Sequence, residues 1–155
     1  MIKYQIADKK NIEQVLSARY ETIRAVCGLQ ADYVFSHDFQ NITRKYFENA
    51  EQTTVLAFDN DKAVGCATVC YIELMPTFEH PTGKRGHIMN VYTAPDHRRQ
   101  GIGYNMMSML IKDAEKNGVT ELSLDATADG RMLYEKCGFK ASEEGMVLVL
   151  KGNAQ

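Results

Sequence analysis

Two hydrophobic periods alternate along the chain, and each change of period marks an element. Residues Lys3 to Ala7 alternate apolar and polar, as a half-buried strand does. From Asn11 to Cys27 the period lengthens: Ile12, Val15, Leu16, Arg19, Ile23 and Val26 fall near helical spacing, and Gly28 supplies a stop. A second helical stretch spans Asp38 to Ala50, with Phe39, Ile42, Tyr46 and Phe47 as its apolar stripe. Strand-forming residues then take over. Thr53 to Phe58 and Ala63 to Ile72 flank the turn cluster Asp59-Asn60-Asp61-Lys62 and predict a hairpin.

Glu73 to Gly86, with Pro76, Pro81 and Gly83, reads as a loop, and His87 to Thr93 as the strand after it. A helix from Gly101 to Asn117 presents Ile102, Met106, Met109, Leu110 and Ala114 on one face, with Gly118 at its C-terminal end. Glu121 to Asp125 reads as a strand, Gly130 to Lys136 as a short helix, and the apolar run Met146 to Leu150 as the last strand. The pattern also leaves room for a short strand near Phe139 to Ser142. The expected order is β-α-α-β-β-β-α-β-α-β, an α/β (α+β mixed-sheet) class. The strand-loop-helix-strand unit from 87 to 125 should make its two strands parallel.

Composition narrows the class. A chain of 155 residues suits one domain spanning 1–155. With 45% apolar and 25% charged residues it can build a core without disulfides or metal. Its net charge of −2 argues against a nucleic-acid partner. No window approaches the roughly 18 apolar residues of a membrane span. The charged, alternating stretch Met1 to Lys10 lacks a signal-peptide core, so a cytoplasmic location is expected. Cys27, Cys66, Cys70 and Cys137 form no CxxC pair, and His37, His80, His87 and His97 do not join them at zinc spacing, so no metal is expected.

The most informative stretch joins the strand at His87 to the following helix: Ala94-Pro95-Asp96-His97-Arg98-Arg99-Gln100-Gly101-Ile102-Gly103. Two glycines one residue apart let backbone N–H groups approach a bulky anion. The helix behind them offers unpaired N–H groups and its positive dipole end. Arg98 and Arg99 add two charges suited to phosphate oxygens. This combination predicts a pyrophosphate site without naming the nucleotide. A dinucleotide fingerprint would need glycine where Met106 stands, and Gly83-Lys84-Arg85 is not a P-loop.

Arg98-x-x-Gly101-x-Gly103 resembles the CoA pyrophosphate loop of the GNAT superfamily of N-acetyltransferases. About thirty residues later, Leu133-Tyr134-Glu135-Lys136-Cys137-Gly138-Phe139 resembles that superfamily's second signature. The resemblance covers roughly residues 50 to 150. It implies acetyl-CoA as cosubstrate, with Val91, Tyr92 and Thr93 along the pantetheine arm and Arg98, Arg99, Gln100, Gly101, Ile102, Gly103 and Tyr104 around the pyrophosphate. It implies an amine acceptor, direct transfer in a ternary complex, and Tyr134 as the acid that protonates the departing thiolate. Two positions depart from the family pattern. Thr127 stands where many relatives have an asparagine that helps hold the pantetheine, and Gly130 where they have alanine. Gly130 is expected to weaken the short helix and change little chemistry.

The base is open. His87 occupies the position of a glutamate in histone-acetylating relatives, and its ordinary pKa of about 6.5 suits the task. Glu73 is the alternative, and a water chain without a single base is a third arrangement. The acceptor site is expected between the first two helices and the loop from Glu73 to Gly86. A non-catalytic acyl-CoA-binding module, or transfer of another acyl group, stands as the competing reading. The Met146 to Leu150 run is compatible with a homodimer.

Overall fold

The computed structural model describes residues 1–152. Five strands form one sheet in sequence order: β1 (Ile2–Ile6), β2 (Gln52–Asp59), β3 (Lys62–Glu73), β4 (Lys84–Thr93) and β5 (Glu121–Leu124). The pairs β1–β2, β2–β3 and β3–β4 are antiparallel, while β4 and β5 are parallel, as the crossover unit requires. Four helices complete the fold: α1 (Ile12–Val26), α2 (His37–Asn49), α3 (Ile102–Lys116) and α4 (Arg131–Lys136).

The pattern of β2 explains the layering. Its residues Thr54 to Phe58 are all buried, so the strand needs cover on both faces. On one face Val55 and Ala57 join Ala67, Val69 and Ile88 under Ile102, Met106, Met107 and Leu110 of α3. On the other, Leu56, Phe58 and Cys66 meet Val15 of α1, with Phe47 of α2 at the margin. Arg44 and Glu13, 2.8 Å apart, link α2 to α1. Phe35 fills the gap between the two helices, stacked on Tyr20 with 5.1 Å between ring centroids.

The strand-loop-strand region differs from the sequence expectation. β4 begins at Lys84 rather than His87, so the loop covers only 74–83. Leu74 N–H donates to Gly83 O at 2.8 Å and closes that loop like a long hairpin. Gly83 has φ +67°, and a Cβ there would stand 2.2 Å from Leu74 O, so the closure requires glycine.

The C-terminal expectation fails. Neither Phe139–Ser142 nor Met146–Leu150 forms a strand, and the side chains of Met146 to Leu150 are 78–97% exposed. An apolar run becomes a strand only against a paired edge with cover on its faces. β5 has four residues and pairs with β4 alone among the described residues.

Candidate active site

The site begins where β4 and β5 part. Their pairing runs from Arg85 opposite Glu121 to Ile88 opposite Leu124, and then stops. β4 continues to Thr93, still paired with β3 through Tyr92 opposite Cys66 and Thr93 opposite Gly65. Among the described residues the edge of β4 from Met89 to Thr93 therefore has no strand on its β5 side. Within this stretch the β3–β4 register shifts, and Asn90 takes a left-handed φ of +61° that marks the irregularity. Asparagine is among the few non-glycine residues that tolerate this conformation.

At the end of β4 the chain turns through Pro95–His97 into α3. His97 Nε2 lies 2.9 Å from Asp59 Oδ2 at the end of β2, which pins the loop. That contact holds the Asp59 carboxyl below the usual carboxylate range. α3 opens on Gly101, with φ +79° and no side-chain cap on its first N–H groups. Among the described residues no backbone N–H from Gly101 to Tyr104 has an acceptor. Four unpaired donors at the positive end of a 15-residue helix form an anion cradle. Nothing lies within 4 Å of where a Gly101 Cβ would stand, so the approach is open.

The two glycines do different work. Gly101 supplies the left-handed turn. A Cβ on Gly103 would meet Leu133 Cδ2 at 3.0 Å, so Gly103 lets α4 seat against the first turn of α3. The next residue, Tyr134, packs against the same core cluster that Val91 of β4 and Leu124 of β5 border. The Tyr134 ring packs edge-on against Phe139, centroids 6.2 Å apart, and its hydroxyl makes no hydrogen bond among the described residues. Burial, and secondarily the nearby Cys137 thiol, raises its pKa. The phenol therefore stays protonated at neutral pH and available as a donor.

Comparison with known proteins fits this geometry. The family model described as acetyltransferase (GNAT) family matches residues 15–139. The chain belongs to that family. Among solved structures, a predicted acetyltransferase with acetyl-CoA from Clostridium acetobutylicum is 27% identical, covers 96% of each chain and superposes with a TM-score of 0.82. Glucosamine 6-phosphate N-acetyltransferase of Candida albicans is 34% identical over 68 residues, 44% of this chain and 46% of that one. Human N-acetyltransferase 8 is 25% identical over 121 residues, 76% of this chain and 52% of that protein. The chain spans about half the length of the curated relatives it matches.

Within this GNAT frame the expected residues separate. Val91, Tyr92 and Thr93 lie on the free edge of β4, and Arg99 to Tyr104 line the cradle, Arg99 itself at φ +64°. Arg98 is partly engaged already. Its Nε donates to Thr93 O at 3.0 Å and its guanidinium lies 5.9 Å from the Tyr92 ring centroid, so it braces strand against loop. Thr127 Oγ1 accepts from Gly130 N–H at 3.2 Å at the start of α4 and keeps its own proton to donate.

The base candidates part company. His87 sits one rung before the split, on the face toward α1 and α2, with Nδ1 2.7 Å from Ser123 Oγ and Nε2 3.8 Å from Asp125 Oδ2. Glu73 pairs with Lys84 at the far end of the sheet, five residues or roughly 17 Å from Met89 at strand rise. There it lines a small cavity with Tyr71, Arg85 and Asn117 beside the C-terminal end of α3. That placement puts Glu73 at the opposite end of β4 from the stretch where β4 and β5 part.

Sequence reasoning passed over Arg19 and Asn90, which meet at the lip of the split. The signal was present. Arg19 is a charged residue within an otherwise apolar helical stripe, and Asn90 is a poor strand former within a strand.

Proposed function

We propose that this chain transfers the acetyl group of acetyl-CoA directly to a primary amine. One observation carries the reading: the wedge between β4 and β5 opens beside the uncapped N-terminus of α3. A pyrophosphate bound at the helix end would lead its pantetheine arm along Met89–Thr93. The acyl end would then lie between Asn90 and Tyr134.

Tyr134 hands its phenolic proton to the departing thiolate as the acyl carbon passes from sulfur to the amine nitrogen. His87, or water beside it, takes the proton the nitrogen sheds, and solvent reprotonates Tyr134. Only the side chain of Asp125 and the Ser123 hydroxyl orient His87 among the described residues. The raised pKa of Tyr134 favours its protonated form in the ground state.

A thiol-release assay with acetyl-CoA and a panel of amines tests this directly. The named activity of several relatives puts glucosamine 6-phosphate in that panel. Tyr134→Phe is expected to lower kcat by about a hundredfold or more, since general acid catalysis contributes on that scale. CoA should raise the melting temperature of both forms equally. Unchanged turnover in the phenylalanine variant would remove Tyr134 from its role, and no thiol release from any amine would favour a binding module.

A further inference from the structure

α1 carries one charged side chain within its buried stripe. Arg19 lies on the turn after Val15 and Leu16, on the face packed toward β3 and β4, and it is only partly exposed. Its guanidinium reaches the split: Nη1 donates to Asn90 Oδ1 at 3.3 Å, two residues beyond the last rung shared by β4 and β5. Asn90 is held in turn. Its Nδ2 donates to Thr68 Oγ1 at 3.2 Å, and its carbonyl accepts from Cys66 Sγ at 3.2 Å.

What Arg19 lacks is a counter-charge. Among the described residues the ion pairs engage Arg44, His80, Arg85, His87, His97 and Arg131, and no carboxylate reaches Arg19. Burial pulls its pKa down, opposed only by the thiols of Cys66, Cys70 and Cys27. Burial also pushes the Cys66 thiol up to about 11, so that group is neutral at pH 7 and offers no charge. A cation half withdrawn from water with no opposite charge beside it carries a desolvation cost. A ligand anion would remove that cost, because the planar guanidinium fork still has donors free and matches carboxylate or phosphate.

We propose that Arg19 anchors an anionic group, carboxylate or phosphate, on the acceptor amine at the mouth of the split. This deepens the acetyl-transfer reading and rests on it for the word acceptor. It narrows the substrate class to amino acids, amino-sugar phosphates and similar anionic amines, and excludes polyamines and neutral amino sugars as the preferred acceptors.

Paired acceptors test the inference. Glucosamine 6-phosphate against glucosamine reads the phosphate, and free amino acids against their amides read the carboxylate. The wild-type chain should prefer the anionic member of at least one pair. In Arg19→Gln the ratio of kcat/KM, anionic over neutral, should fall about ten- to a hundredfold, mostly through KM, as expected for loss of a charged hydrogen bond. Arg19→Lys should restore part of the ratio, because it keeps the charge and loses the fork. An unchanged ratio, or equal loss on both members of every pair, overturns the proposal.

A second readout does not depend on turnover. With CoA saturating the helix cradle, inorganic phosphate or acetate should raise the melting temperature of the wild type more than that of Arg19→Gln. Equal shifts overturn the anion site. Arg19-dependent anion binding without thiol release would leave the site standing and remove the transferase reading. Turnover without Arg19 dependence would do the reverse.

Discussion

Tyr134 owes its ring position to a side chain that is missing four residues earlier. A Cβ on Gly130 would stand 2.8 Å from Tyr134 Cε2 and 3.4 Å from Thr127 Oγ1. The sequence expectation assigned Gly130 a small helix cost and little chemistry, and the packing adds a close approach to the Tyr134 ring. Gly130 has φ −85° and ψ −15°, which alanine adopts freely. Gly130 is the N-cap of α4, where alanine is less favoured than glycine, so Gly130→Ala should lower stability slightly, by up to about 1 kcal/mol. The same change should push the ring aside by a few tenths of an ångström and lower kcat about tenfold, since misplacement of a catalytic group is costly. Steady-state kinetics beside a thermal melt separates the two effects. Full activity in the alanine variant would show that the ring has room to shift without consequence. Thr127 and Gly130 were visible as departures from a motif, but their reason was not. It depends on which atoms face each other across one turn of α4.

At the scale of elements, α3 is the beam that carries the cradle, and it is fastened at both ends. At its N-terminus Gly103 seats against Leu133, and Lys136 Nζ lies 4.8 Å from the Tyr104 ring centroid. At its C-terminus Asp113 gathers three donors. Thr53 Oγ1 donates to Asp113 Oδ2 at 2.7 Å, the Tyr71 hydroxyl donates to the same oxygen, and Asn117 Nδ2 lies 3.4 Å away. Burial and the Asp113 carboxylate raise the Tyr71 pKa, which keeps it a donor throughout the neutral range. Asp113→Ala strands two partly buried hydroxyls and should cost about 1–2 kcal/mol. For a chain of this size that is roughly 3–6 °C in melting temperature. A CoA-induced stabilisation that survives the substitution would confine Asp113 to fastening the helix. The helix itself was legible from Ile102, Met106 and Leu110 at their spacing. The Asp113 clasp was not, because Thr53 and Tyr71 lie 60 and 42 residues away in sequence.

For the molecule as a whole, one sheet has a well-covered centre and an open end. Val147, Leu148 and Val149 expose 83–89% of their surfaces beyond β5. An exposed, strand-prone apolar run invites pairing with another chain. Replacing Val147 and Val149 with lysine should move the melting temperature by no more than about 2 °C, since exposed substitutions away from the core cost little. Concentration-dependent light scattering should fall in the same variant. Scattering that persists would locate any self-association elsewhere on the surface.

From β1 to α4 the type and order of the elements were determined by the sequence. Period and punctuation are local properties, so α1 and α2 begin and end within a residue of their expected limits, and the Asp59–Lys62 turn makes its hairpin. The cradle was equally local, because glycine, arginine and a helix start are neighbours along the chain. Tertiary structure decided which of the candidate groups meet. It carried Glu73 to the far end of the sheet, kept His87 beside the split, and left the C-terminal run unpaired. It also brought Arg19 of α1 to Asn90 of β4, 71 residues apart, with no carboxylate beside it among the described residues. Contacts of that kind depend on how strands register and helices pack, and no window of sequence contains both ends of them.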